Sequence, residues 1–207
     1  MKTLNKEMQD AITPKIALEL LKDGNKRFVS NLKINRNLLQ QANDTSDGQH
    51  PFAVILSCID SRTSAELIFD QGLGDIFSAR IAGNIVNEDI LGSMEFGCKV
   101  AGAKIIVVLG HTKCGAVKGA CDNVTLGNLT SLISKIKPAV DLETATTENR
   151  NSSNAIFVEN VAELNVSLSV KNILIKSPII AEMVKNEEIT IVGAVHNISS
   201  GEVKFFE

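Results

Sequence analysis

Three residues of this 207-residue chain have the chemistry to share a metal ion. Cys58 heads the stretch Cys58-Ile59-Asp60-Ser61-Arg62, while His111 and Cys114 stand three apart in His111-Thr112-Lys113-Cys114-Gly115. Two thiolates and an imidazole suit zinc, which takes sulfur and nitrogen donors in tetrahedral geometry. Three protein ligands leave a fourth position for water or substrate, which is the pattern of a catalytic site. His111 and Cys114 can face the same way once helical geometry starts, but Cys58 must be brought alongside from elsewhere. A His-x-x-Cys pair alone says little, because buried cysteines usually act as small hydrophobic residues. The third ligand is what gives it weight. Cys121 lies seven residues beyond Cys114, about 10 Å along a helix, too far to share the ion while the helix is intact. Cys98 reads as core packing.

The elements that would gather these ligands are two apolar runs, 52–57 and 104–110. Each is continuously β-branched or aliphatic, as expected of a strand buried on both faces of a parallel sheet, and each runs directly into one ligand loop. Parallel strands would deliver Cys58 beside His111 and Cys114 at the carboxyl edge of the sheet, where open α/β sheets bind ligands. Residues 75–80 and 189–196 read as two more strands, and Ser199-Ser200-Gly201 turns the chain into an antiparallel strand over 203–206. Thr13-Pro14 and Ser177-Pro178 start helices, the first running to about Ser30. Its apolar face, with Ile16, Leu20, Leu21 and Phe28, reads as a surface for a partner subunit. Residues 31–49 form a polar connector with at most one short helix. Further helices are expected over 64–69, over 87–102, and from about 113 to 122, which puts Cys114 in a first turn. Residues 126–170 read as mostly helical, broken at Pro138 and by a polar loop over 144–154. The fold class is therefore α/β: a mostly parallel sheet of four strands plus an antiparallel edge strand, flanked by helices. One domain is expected over 1–207, with 1–50 as an N-terminal helical arm and connector.

Composition narrows the function. Hydrophobic residues make up 44% and charged residues 22% of the chain, near the globular average, so neither disorder nor a fibrous repeat is indicated. A formal charge of -3 without a basic block argues against a nucleic-acid partner or an anionic membrane surface. The first residues show no signal-peptide core, and no stretch reaches the roughly 20 apolar residues of a spanning helix. A cytoplasmic location is expected, where cysteines serve metal binding or catalysis more often than disulfides.

Three motifs in order then carry a resemblance. Cys58-x-Asp60-Ser61-Arg62, Gly74-Asp75-x-Phe77-x-x-Arg80-x-Ala82-Gly83-Asn84 and Gly110-His111-x-x-Cys114-Gly115-Ala116-Val117 together resemble the β-class carbonic anhydrases. The opening Leu20-Leu21-x-x-Gly24-Asn25-x-Arg27-Phe28 is similar too, so the resemblance spans most of the chain. It implies the β-carbonic anhydrase fold, one Zn2+ per chain on Cys58, His111 and Cys114, and a homodimer or dimer-based tetramer. The implied activity is reversible hydration of carbon dioxide to bicarbonate and a proton. Gln49 matches a glutamine that donates to the substrate or bicarbonate oxygen in the plant-like branch of the family, and implies membership of that branch.

The residues allow a physical account of that reaction. Two thiolates cancel the charge of the ion and weaken it as a Lewis acid, so help is needed from outside the ligand set. Asp60 and Arg62 can pair, which keeps Asp60 ionised as an acceptor for a hydroxide on the zinc. In this family the aspartate can instead ligate the zinc when that pairing is lost; the sequence leaves both forms open. Backbone N–H groups around Ala82-Gly83-Asn84 are expected to face the substrate, with Gly83 allowing close approach. Where relatives often carry a Tyr-Asp pair, this chain has His196-Asn197, and His196 reads as a structural hydrogen-bonding residue. Two other readings fit the motifs: the same site acting on carbon disulfide or carbonyl sulfide, as related proteins do, and a structural zinc or thiol-sensing module. The second needs neither Asp60 nor Arg62. Nucleotide binding is disfavoured, since Rossmann and P-loop spacings are missing.

Overall fold

The computed structural model describes residues 3–206. Its sheet has the order β2-β1-β3-β4-β5, formed by β1 (Ala53–Ser57), β2 (Ile76–Arg80), β3 (Ile105–His111), β4 (Thr190–His196) and β5 (Val203–Phe205). The first four strands are parallel and β5 returns antiparallel to β4, as expected. Every residue of β1 and β3 is buried, so alternate side chains feed two different cores. Val54, Leu56, Ile106 and Val108 meet Val166, Ile173 and Ile180 on one face. Ala53, Ile55, Ile105, Val107 and Leu109 meet Ala17, Leu21, Ile68 and Phe69 on the other. Both faces being covered explains why the two runs show no polar alternation.

Ten α-helices are assigned among the described residues: α1 (Lys6–Asp10), α2 (Pro14–Val29), α3 (Leu38–Asp44), α4 (Ala65–Ile68), α5 (Glu88–Glu95), α6 (Gly115–Cys121), α7 (Gly127–Ile133), α8 (Lys137–Leu142), α9 (Ala155–Lys176) and α10 (Pro178–Lys185). Thr13 and Ser177 cap α2 and α10 through their side-chain oxygens, with a proline in each first turn. Asn87 and Asn154 cap α5 and α9 in the same way, and each such cap stabilises its helix by about 1 kcal/mol. No helix among the described residues is long and apolar enough to cross a membrane.

Four expectations change. The face of α2 packs within the chain: Ala17 and Leu21 are fully buried, while Ile16 and Val29 stay 45% and 42% exposed. Gly24 explains how closely α2 docks, since a Cβ there would sit 1.7 Å from the Phe69 carbonyl oxygen. The helix expected over 87–102 divides into α5 and a π turn, Phe96–Val100. Pro138 does not break a helix but lies in the first turn of α8, where its missing N–H has no intrahelical partner to lose. Cys114 precedes α6 in extended conformation rather than lying inside its first turn.

Candidate metal centre

The parallel register decides where the ligands fall. β1 ends at Ser57 opposite Leu109, so the chain leaves β1 at Cys58 while β3 continues two residues further to His111. Cys114 follows after a tight turn in which Lys113 has φ +58°. One sulfur of Cys58, one of Cys114 and a ring nitrogen of His111 thereby lie within 4.8 Å of one another, and all three residues are buried.

Two observations test whether a metal fits. The sulfurs are 4.0 Å apart, against roughly 3.8 Å for two Zn–S bonds of about 2.3 Å at the tetrahedral angle. The second concerns His111, whose Nδ1 lies 3.0 Å from the Thr112 carbonyl oxygen. A carbonyl only accepts, so Nδ1 carries the proton and Nε2 presents its lone pair. Nε2 is buried with no hydrogen-bond partner among the described residues, the orphan that a cation would satisfy. The donor set fits zinc.

The electrostatics of the bare cluster point the same way. Cys58 is driven to ionise, down to about 4, chiefly by the thiol of Cys114; burial opposes this, and His111 and the N–H groups of Gly83 and Asp60 assist. Cys114 is correspondingly driven up by the neighbouring Cys58 and by burial, although the N–H groups of Ala116 and Val117 at the start of α6 pull it down.

Asp60 is not part of the cluster. Its carboxylate is taken by Arg62, with Nε to Oδ1 at 3.0 Å, Nη2 to Oδ2 at 2.8 Å and the Arg62 N–H to Oδ1 at 2.9 Å. The Arg62 side chain holds Asp60 well below the usual carboxylate range, outweighing burial. Gly83 has φ +67° and no room for a Cβ, which would lie 2.5 Å from Ile136 Cδ1. Its N–H donates to Cys58 Sγ at 3.3 Å, so this donor, expected to face substrate, is committed to the ligand sulfur.

Gln49 is not brought to the cluster of its own chain. It is exposed on the connector before β1, whereas Cys58 follows the other end of that strand, whose five residues alone span about 17 Å. His196 is 3% exposed and pairs opposite His111, yet neither ring nitrogen finds a hydrogen-bond partner among the described residues. The structural hydrogen bond expected of it is missing, and burial is the chief cause that lowers it, to about 4.

One residue quoted in the motifs acquires a role that the sequence reading did not give it. Arg80, at the end of β2, donates from Nε to the Cys58 carbonyl at 3.0 Å and from Nη2 to the Asp60 carbonyl at 2.7 Å. It ties the ligand loop to the neighbouring strand. Its place at the carboxyl end of a strand beside β1 was the available signal.

Fold and site together define an α/β protein with two cysteines and a histidine that could hold a metal ion at the carboxyl edge of its sheet. The sequence profile described as carbonic anhydrase matches residues 53–203. Carbonic anhydrase 2 of Mycobacterium tuberculosis is 34% identical over 194 residues, covering 91% of this chain and 90% of its own length. The carbonic anhydrase of Mycolicibacterium smegmatis is 32% identical, covering 92% of each. Among solved structures, the β-carbonic anhydrase CafA of Aspergillus fumigatus shares the fold with a TM-score of 0.74 at 24% identity, covering 93% of this chain and 91% of that one. The chain belongs to the β-class carbonic anhydrase family, a family of lyases.

Proposed function

We propose that the chain binds one zinc ion on Cys58, His111 and Cys114 and catalyses the reversible hydration of carbon dioxide to bicarbonate and a proton. The observation that carries this reading is the convergence of two thiols and an imidazole within 4.8 Å, beside a carboxylate that Arg62 keeps out of the ligand set. Zinc, when bound, supplies a Lewis acid that makes coordinated water acidic near neutral pH. Asp60, kept ionised by Arg62, accepts the O–H of the attacking group and so sets which lone pair faces the carbon. Arg80 keeps Cys58 and Asp60 in fixed relation by holding both of their carbonyls. A structural zinc module would have no use for the carboxylate–guanidinium pair.

The finer readings belong to the same proposal. Gln49 serves as a substrate donor only in the site of a neighbouring copy, and with it goes membership of the plant-like branch. A homodimer or dimer-based tetramer is supported by the open outer edge of β2 and by a groove of about 680 Å³ between β2 and α5, lined by Phe77, Ala79, Gly92 and Phe96. One of the solved β-carbonic anhydrases similar to this chain, from Sordaria macrospora, is described as tetrameric. We read the chain as one domain acting in the cytoplasm.

Metal analysis and stopped-flow hydration of carbon dioxide test the reading. About one zinc per chain is expected, with both zinc and activity lost in Cys58→Ser. Zinc-loaded protein with no hydration activity at alkaline pH would overturn it.

A further inference from the structure

The inward face of α9 is mostly apolar, with Phe157, Val158, Val161, Val166 and Ile173 buried. Two polar side chains interrupt it four residues apart: Asn165, 3% exposed, and Ser169, 4% exposed. Both address the turn at Ala82–Asn84. Asn165 Nδ2 donates to the Gly83 carbonyl at 2.9 Å, and Ser169 Oγ donates to the Asn84 carbonyl at 3.4 Å. Gly83 and Asn84 are consecutive left-handed residues, at φ +67° and +42°, a conformation that needs support from its surroundings. The other side of Gly83 carries its N–H to Cys58 Sγ. Two hydrogen bonds therefore run from a buried amide on α9, through one glycine, to a sulfur of the metal cluster.

We infer that Asn165 is a positioning residue for the metal centre: by holding the Gly83 carbonyl it keeps the Gly83 N–H on the Cys58 sulfur and tempers the charge that this sulfur gives to a bound ion. The inference rests on the zinc reading above. Its physical basis is that an N–H donor favours the thiolate over the thiol and draws electron density from it. In a site with two thiolates, that offsets part of the quenching of the ion. A purely space-filling role would have been met by a leucine, without a buried amide that requires partners.

Asn165→Ala removes the donor, and Asn165→Asp keeps the shape while offering only acceptors when ionised. In both, chelator competition should give zinc binding about tenfold weaker at neutral pH, because the Cys58 sulfur loses the donor that fixes its place. The thiolate-to-cobalt charge-transfer band of the cobalt-substituted protein should shift, and the midpoint of hydration activity should move to higher pH. Wild-type cobalt spectra and zinc affinity in both variants would overturn the inference while leaving the zinc reading intact. Wild-type protein that takes up neither metal would instead overturn the zinc reading and the inference with it. Should neither variant fold, nitrogen-15-labelled wild type loaded with cadmium decides. The Asn165 side-chain amide is expected to shift together with the Gly83 amide, and a shift at Gly83 alone would overturn the link.

Discussion

The chain uses the same chemical pair, aspartate with arginine, in two places and to two ends. Asp60 and Arg62 are two residues apart on the ligand loop, and the arginine side chain is 53% exposed. Asp70 is 3% exposed and clamped from two sides: Arg27 Nε donates to Oδ2 at 2.5 Å and Arg36 Nη1 to Oδ1 at 2.6 Å, with Arg36 only 6% exposed. Arg36 Nη2 also donates to the Asp70 carbonyl, and the Ile34 N–H to Oδ2. The second constellation staples the end of α2 and the connector behind it to the loop after α4. An exposed local pair adds little to stability, so its place beside the candidate metal ligands points to chemistry. Removing one partner of a buried network leaves charge uncompensated, so the Asp70 network points to the path of the chain.

The largest effect separating the two should come from Asp70→Ala. It leaves two guanidinium groups facing each other without a carboxylate, and should destabilise the fold by about 3–5 kcal/mol, lowering Tm by about 10 °C. Urea and thermal unfolding measure this. Turnover per bound zinc should stay near wild type; a loss of turnover in protein that remains folded and zinc-loaded would break the division of roles.

Asp60→Asn should do the reverse. The amide cannot serve as a charged acceptor, and a fall of about 100-fold in hydration rate is expected, the scale of losing one oriented polar group in an active site. Zinc content and unfolding midpoint should be unchanged. Arg62→Lys sharpens the point: it keeps the charge but loses the fork that grips both carboxylate oxygens. A fall of about tenfold is expected, between wild type and Asp60→Asn. A full wild-type rate in Arg62→Lys would mean that charge alone, without the two-point grip, keeps Asp60 in place.

The two pairs also show what was legible in the sequence. Cys58, Asp60 and Arg62 lie within five residues, so their relation is local and readable, as is His111-x-x-Cys114. The strands themselves and the antiparallel return of β5 followed from apolar runs and loop length, but β3 extends through His111 because Gly110 and His111 pair with Val195 and His196. Asp70 with Arg27 and Arg36 could not be read, since separations of 43 and 34 residues leave no local trace. Asn165 escaped for the same reason, 82 residues from Gly83. Gln49 is the converse case: only nine residues from Cys58 in sequence, it lies across the length of β1 from it, which is why its donor role is proposed in the site of a neighbouring copy.

The smallest predicted effect concerns acid. Burial alone would raise Asp70, but hydrogen bonds from Arg27, Arg36 and the Ile34 N–H outweigh it and leave it below its ordinary value. A folded-state value below the unfolded one means that the unfolded chain takes up its proton first as pH falls. The stabilisation is therefore complete above the unfolded aspartate value of about 3.9, and is lost as pH falls through the lower folded value. The stability difference between wild type and Asp70→Asn, from urea unfolding, should stay level from pH 8 to about 4 and shrink below. Asp60 is depressed as well, with Arg62 the main cause, yet its exposed partner makes it sensitive to salt. At about 1 M salt, where charges are screened within about 3 Å, hydration should slow measurably while the wild-type to Asp70→Asn gap holds. If that gap closes in salt as fast as the rate falls, the Asp70 network is as solvated as the loop pair, and burial is not what distinguishes them.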